Sequence, residues 1–315
     1  MKTAEFVRKG HPDRVCDIIS DAILDEYLKQ DPLSRVAIEV FGCHGVITVG
    51  GEVTSKGFVD IVKVVRDVYK EIGYTNEIGV EVNIVRQSEE IKELADKGAG
   101  DSGIVTGFAT DETPEMLPKE VTIAKRICNF LDEIPFLKPD GKVQVSIEND
   151  IIKELVVSVQ GEKEVKKKLE EHLRRFFTFE KLYLTIFEKG GFEADTGLTG
   201  RKNVLWYGPR IPIGGGSFAG KDATKVDRSG AYLARKIAVE CVKNQNYKEA
   251  LVEMAYVIGQ DFPLYVKING KEVDVKEEYR ISRSIENLKM RKPIFKETSL
   301  EGHFGVQRFP WEKVD

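Results

Sequence analysis

One arrangement of helices and strands recurs three times along this chain, and it constrains the fold more than any other feature. "DRVCDIISDAILDEYLKQD" (13–31) reads as an amphipathic helix, with Val15, Ile18, Ile19, Ile23, Leu24 and Leu28 on one side and Asp13 at the N-cap. "VAIEVFGCHGVITVGGEV" (36–53) follows as two strands around a Gly-containing turn, then a helix over 58–73 and a strand over 79–87. The order returns as a helix over 118–134, a hairpin over 142–160 turning near Asn149-Asp150, a charged helix over 162–177 and a strand over 181–187. It returns again as a helix from about Asp222 to Lys243, strands in "ALVEMAYVIG" and "PLYVKING", and a helix over 276–290. Helix, hairpin, helix, strand fits a β-α-β-β-α-β-like module. The expected class is therefore α/β (α+β): three similar layers, each a sheet with helices on one face. The modules span 1–93, 94–190 and 191–315.

The chain is long enough for such an arrangement to bury its own core, and 41% hydrophobic with 32% charged residues suits a globular protein. The formal net charge of −4 gives no global basic field for nucleic acid. No stretch approaches the ~20 apolar residues of a membrane span, and the start has no apolar run of leader length. Cys16, Cys43, Cys128 and Cys241 form no C-x-x-C pair, so free thiols in a cytoplasmic setting are expected.

Unusual polar residues collect at the joints. "KGHPDR" (9–14) leads into a helix N-terminus, where amide donors and the dipole favour anions; on local pattern alone a plain capped start, with Asp13 as N-cap and His11 on the surface, is the more ordinary reading. "GAGDSG" (98–103) lets backbone approach a ligand beside a carboxylate, or is a tight turn. "DTGLTGRK" (195–202) offers an Arg fork and a Lys point charge, or a solvated basic pair. "GGGSFAGKDATKVDR" (214–228) fits G-x-x-x-x-G-K, but Asp222 stands where a P-loop needs Ser or Thr, and "PRIPI" precedes it where a buried strand should run. On a helix starting at Asp222, Lys221, Lys225 and Arg228 would share a face and Asp227 would project elsewhere, free for a metal. Arg201, Lys202, Arg210, Lys221, Lys225 and Arg228 make a local basic cluster in a net-acidic chain. That pattern points to a small polyanion, most simply Mg²⁺-bound nucleotide phosphates.

"GHPD", "GAGDSG", "TGLTGRK", "GGGSFAGKDATKVDRS" and "GHFG…FPWEK", in this order over nearly the whole chain, resemble the S-adenosylmethionine synthetase (methionine adenosyltransferase) family. The resemblance implies three α/β repeats about a pseudo-threefold axis. It implies attack of methionine sulfur on C5′ of ATP, with the expelled tripolyphosphate then cleaved to pyrophosphate and phosphate. A thioether carries no proton, so no general base is needed; the demand is for cations at the leaving group. Carried over, His11 lies beside the leaving oxygen, and Lys142, Arg201 and Lys221 complete the catalytic set. Asp101, Asp140, Lys142, Phe187, Asp195, Arg201, Lys202, Ser217 and Lys221 join His11 around ATP, with Phe187 stacked on adenine. Glu52, Gln87, Asp195 and Lys225 match methionine positions, Asp13 and Asp227 the ligands of Mg²⁺ at two ions per site, and Glu39 the K⁺ site. The resemblance also implies a homodimer with shared sites, in some members paired into a tetramer.

The chain departs from the family pattern in places. Arg8-Lys9 replace Ser-Glu before GHPD, and Lys9 for an acid bears on metal affinity near Asp13; Arg14 replaces Lys. Ile186 replaces an Arg beside the stacking Phe, and Phe192 a Pro. The segment between Gln87 and Asp101, where the family carries a lid, is short, which bears on exchange more than on chemistry. Competing readings are a non-catalytic nucleotide-binding regulatory paralogue, supported by Lys9 and Ile186, a P-loop ATPase or kinase, and an RNA-binding protein of ferredoxin-like modules.

Overall fold

The computed structural model describes residues 1–87 and 97–314. The short segment expected to form a lid falls largely on 88–96, outside the described residues. Twelve described strands form three four-stranded sheets. The strands are β1 (Lys2–Val7), β2 (Arg35–Cys43), β3 (Val46–Thr54), β4 (Gly79–Val85), β5 (Gly103–Thr110), β6 (Gly141–Glu148), β7 (Ile151–Gln160), β8 (Phe179–Phe187), β9 (Gly197–Leu198), β10 (Glu249–Tyr256), β11 (Tyr265–Ile268) and β12 (Lys271–Val273). The described helices are α1 (Pro12–Gln30), α2 (Ile61–Ile72), α3 (Lys119–Asp132), α4 (Lys166–Phe176), α5 (Val226–Asn244), α6 (Ile281–Asn287) and α7 (Phe295–Glu301). The class is mixed α/β, as the sequence implied.

The sheets do not follow the module boundaries. Their strand orders are β1-β6-β7-β8, β9-β2-β3-β4 and β5-β10-β11-β12. In each, an edge strand from one module pairs antiparallel with the first strand of another module's antiparallel pair: β1 on β6, β5 on β10, β9 on β2. The first module thus lends a strand to the second, the second to the third, and the third to the first. Modules 1–93, 94–190 and 191–315 are not self-contained layers. The first two sheets share one direction pattern, antiparallel, antiparallel, parallel. In the third, the last pair is antiparallel as well.

Local chemistry sets the element ends. The β2–β3, β6–β7 and β11–β12 hairpins turn on paired left-handed residues, His44-Gly45, Asn149-Asp150 and Asn269-Gly270, as two-residue hairpins require. α2 begins where the Asp60 carboxylate accepts the Lys63 amide (3.0 Å) and ends at Gly73, φ 118°. Two expected caps differ. The α1 N-cap is His11, whose Nδ1 accepts the Asp13 amide (3.2 Å), with Pro12 at the first helical position; Asp13 sits one residue inside. α5 begins at Val226, not Asp222. Asp222 is buried, accepting the Val36 and Thr224 amides (2.7 and 2.8 Å), and so ties its loop to β2 instead of capping a helix. The expected helix over 276–290 is a short 3₁₀ turn (Glu277–Tyr279) followed by α6.

α1 and α5 are buried along most of their length and α3 along one side. α1 is buried nearly all round, so its polar side is as enclosed as its apolar side. Two ion pairs with fully buried side chains, Arg228–Asp21 and Arg235–Glu312, fix α5 against α1 and the C-terminal segment. Phe192 fills a core slot in contact with Gly42 and stacked at 6.0 Å on Tyr69, which accounts for an aromatic ring at that position.

Candidate active site

The first set of site residues gathers at the start of α1. The Asp13 side chain is fully buried. Its Oδ1 accepts the Leu198 amide (3.0 Å) and lies 3.2 Å from Arg201 Nε, while Oδ2 binds Lys202 Nζ. His11 Nδ1 is 3.9 Å from the same carboxylate. Burial, then the positive charge of Lys202, lowers the His11 pKa to about 4; Lys142 pushes the same way, and Asp13 and Asp195 oppose. The imidazole is therefore neutral near pH 7. Since Nδ1 accepts from the Asp13 amide, the proton is assigned to Nε2, which is left as a donor.

β6 brings in the second module. Lys142 pairs in register with Val7, just before the GHPD turn, and its Nζ lies 3.4 Å from Glu5 Oε2. Asp140 accepts the Gly191 amide (2.8 Å), tying the loop after β8 to the start of β6. Burial raises the Asp140 carboxyl above its usual range, against that hydrogen bond. Phe187 ends β8, opposite Gln160. Asp195 accepts its neighbour Thr196's amide, and its charge reaches both His11 and Asp140.

The second set gathers at the glycine-rich loop before α5. Lys221 Nζ pairs with Asp227 Oδ2 at 2.5 Å. A Cβ on Gly216 would lie 2.1 Å from Asp227 Oδ1, so the loop backbone presses on that carboxylate and only glycine fits. Glu39 on β2 belongs here: burial raises its carboxyl, Lys221 lowers it and Asp227 raises it further. Lys221 bridges to Ala37, and Ala37 pairs with Glu52, so Glu39 and Glu52 share the sheet face opposite the helices. Asp101 lies in the turn whose Gly100 amide donates to Thr224 O. Lys225 stands at the α5 N-cap, and Gln87 Oε1 is buried with no hydrogen-bond partner among the described residues.

Two contacts join the sets. The Gly200 Cα faces the Ser217 side chain so closely that a Cβ there would meet it at 2.6 Å, and Asn203 Nδ2 donates to Gly216 O (2.9 Å). Beside them Ser217 Oγ is buried with no hydrogen-bond partner among the described residues.

Some expectations do not hold. Arg228 is fully buried on Asp21 and so does not belong to the cationic cluster, while the half-exposed Arg210 pairs with Glu120. Lys221 precedes α5 and pairs with Asp227, so the expected face of Lys221, Lys225 and Arg228 does not form. Lys9 lines a separate cavity with Glu115, Lys125, Asp132 and Glu301, away from the cations that act on His11. Sequence reasoning also missed the carboxylates behind the site, Asp17, Asp21 and Asp25. Their spacing, one Asp every four residues of α1, is visible in the sequence, but their burial is not.

Fold and site together define a class: a mixed α/β protein in which lysines and an arginine gather on the single carboxylates Asp13 and Asp227, a composition suited to a metal-bound polyanion. Comparisons with known proteins give the family. Models of the N-terminal, central and C-terminal domains of S-adenosylmethionine synthetase match residues 1–95, 96–189 and 189–313. The S-adenosylmethionine synthase of Aquifex aeolicus is 38% identical over 362 aligned residues, covering 100% of this chain and 96% of the relative. That of Thermus thermophilus is also 38% identical, covering 99% and 95%. That of Deinococcus deserti is 35% identical, covering 99% and 96%. The chain belongs to the S-adenosylmethionine synthetase family.

Proposed function

We propose that the two residue sets form the two sides of a site in which this methionine adenosyltransferase makes S-adenosylmethionine from ATP and L-methionine. Methionine sulfur attacks C5′, the C5′–O bond breaks, and the tripolyphosphate leaves and is cut to pyrophosphate and phosphate. The neutral His11, with its proton on Nε2, donates a hydrogen bond to the departing oxygen. Lys142, Arg201, Lys202 and Lys221 take up the charge of the leaving chain. Phe187, Asp140, Asp101 and Ser217 hold the nucleotide; Glu52, Gln87, Asp195 and Lys225 hold methionine.

Among the described residues no three His, Cys, Asp or Glu side chains cluster as a self-sufficient metal cage. Mg²⁺ does not require one, since one or two carboxylates plus substrate phosphates satisfy it. Asp13 and Asp227 fit that role, each a carboxylate now matched by lysine or arginine. Two Mg²⁺ held there, and K⁺ at Glu39, would add positive charge against the polyphosphate.

We read the active unit as a homodimer, with pairing into a tetramer open. The outer face of β9-β2-β3-β4 exposes Phe41, Val46, Val85 and Leu198 by more than a third each, and the same face carries Glu39 and Glu52. A second copy on that face would bury the apolar residues and bring two sets of site residues together. We also read the three sheets as related by a pseudo-threefold axis, supported by their common strand order. No described helix is long and apolar enough to cross a membrane, and a cytoplasmic setting suits these substrates.

The observation that carries the reading is the convergence of all three modules on the start of α1: Lys142 and Lys202 act on His11, and Arg201 and Lys202 pair with Asp13. The test is to incubate the protein with ATP, methionine and Mg²⁺ and look for the sulfonium product with pyrophosphate and phosphate. Phosphate release without methionine would indicate an ATPase. Nucleotide binding without product would indicate the regulatory paralogue.

A further inference from the structure

Asp13, Asp17, Asp21 and Asp25 recur every fourth residue of α1, so they form one stripe along the helix. Like charges at this spacing repel and weaken a helix, and burying them costs more. All four are at most 5% exposed. Each accepts backbone amides from a distant segment. Asp13 takes Leu198 (3.0 Å), Asp17 takes Gly200 (2.8 Å), Asp21 takes Gly220 (2.8 Å), and Asp25 takes Phe295 and Lys296 (3.0 and 2.9 Å).

The two middle contacts match each other. Gly200 and Gly220 are both left-handed, with φ of +80° and +77°. Each is followed at once by a cation of the site, Arg201 and Lys221. Each is also closed to a side chain, since a Cβ would lie 2.6 Å from Ser217 at Gly200 and 2.0 Å from Ile38 O at Gly220. Asp21 serves a structural pairing as well, with Arg228 bidentate at 2.7 and 2.8 Å and the Ser299 hydroxyl at 2.6 Å. Asp17 is the simpler member, its carboxylate set on the Gly200 amide.

We propose that Asp17 is a positioning residue for the polyphosphate half of the reaction: by holding the Gly200 amide against α1 it fixes where Arg201 and Lys202 point, without touching substrate. Asp21 does the same for Lys221 through Gly220. One rigid helix thus indexes cations from two separate loops. Burial pushes the Asp17 carboxyl up to about 8, so its service near pH 7 is as a hydrogen-bond acceptor, which a neutral carboxyl still provides. The inference rests on the proposed role of Arg201 and Lys202 at the phosphates.

The test compares Asp17→Ala, Asp17→Glu and Asp17→Asn in the full chain. Hydrolysis of added inorganic tripolyphosphate is measured, with methionine KM from the complete reaction and the thermal midpoint as a check on folding. The parent must first make S-adenosylmethionine; if it does not, the functional reading fails independently of Asp17. In a folded Asp17→Ala, kcat/KM for tripolyphosphate should fall about 10- to 100-fold, the loss expected when a catalytic group shifts by around 1 Å, with methionine KM unchanged. Asp17→Asn keeps an acceptor oxygen and should keep most of the activity. If Asp17→Ala does not fold, Asp17→Glu decides on the same split, since it retains the carboxyl and moves it by one methylene. Unchanged tripolyphosphate hydrolysis in a folded Ala or Glu variant overturns the inference. So does a loss in Asp17→Asn as large as in Asp17→Ala, which would make charge, and not the held amide, the cause.

Discussion

At the scale of single residues, the site depends on where protons are kept. His11→Ala should abolish sulfonium formation while leaving the circular dichroism spectrum and thermal midpoint close to the parent's, because the side chain caps one amide and little else. Stability should vary with pH in two opposed ways. Burial pushes Asp17 and Asp25 up to about 8 and about 7, above the unfolded aspartate value of 3.8. The folded state then binds more protons over that interval, so stability rises as pH falls from about 8. Burial, aided by Arg228, lowers His303 well below 6.5, so the unfolded state binds its proton first, and below about pH 6.5 this group opposes the aspartates, removing about 1.4 kcal/mol per pH unit. Between about pH 8 and 6.5 the aspartates act without that opposition, so the thermal midpoint should rise as pH falls along this alkaline limb, and Asp17→Asn should flatten it. An alkaline limb unchanged in Asp17→Asn would contradict this account. Much of the site was legible as residues, since glycine-rich turns with a lysine or aspartate are rare enough to stand out. The aspartates of α1 were not, because a strip of acids opposite an apolar strip ordinarily faces water, and nothing within α1 shows that loops from residues 198–220 close over it.

At the scale of elements, the loops are held by steric fit as much as by hydrogen bonds. Gly216→Ala should drive the Asp227 carboxylate off its place, since the new Cβ would stand 2.1 Å from Oδ1. A loss of Mg²⁺-dependent activity together with a lower thermal midpoint is expected, as the new Cβ also meets Asp227 Cγ and Cβ at 2.3 and 2.7 Å. Gly220→Ala meets backbone, Ile38 O, in a left-handed conformation, so it should cost about 1–3 kcal/mol in conformation alone, more with the clash, and lower the thermal midpoint markedly. The helices and long hairpins were legible from periodicity and turn residues. β1, β5 and β9 were not located, and these are the three strands that cross between modules. Their short or mixed patterns are satisfied by partners over a hundred residues away, which a local window does not see. Asp222 misled for a similar reason: an acid before a helical run reads as a cap, but this one is claimed by Val36 on β2.

At the scale of the whole molecule, the cyclic loan of edge strands couples the three modules. Chains of this length often unfold in stages. Here removing any module takes an edge strand from another sheet, so circular dichroism and tryptophan fluorescence should report one coincident urea transition, and separate midpoints would contradict the coupling. If the outer face of β9-β2-β3-β4 is the dimer surface, Phe41→Glu should shift sedimentation toward the monomer and reduce activity with it. The loan also orders events on the ribosome. β1 emerges first, yet its partner β6 begins only at Gly141 and that sheet closes with β8 at Phe187; the sheet begun by β2 waits for Leu198, and the last for Val273. More than half the polypeptide must therefore be made before any one layer is whole, and the earliest strand spends that interval as an unpaired edge that a nascent-chain chaperone would be suited to shield.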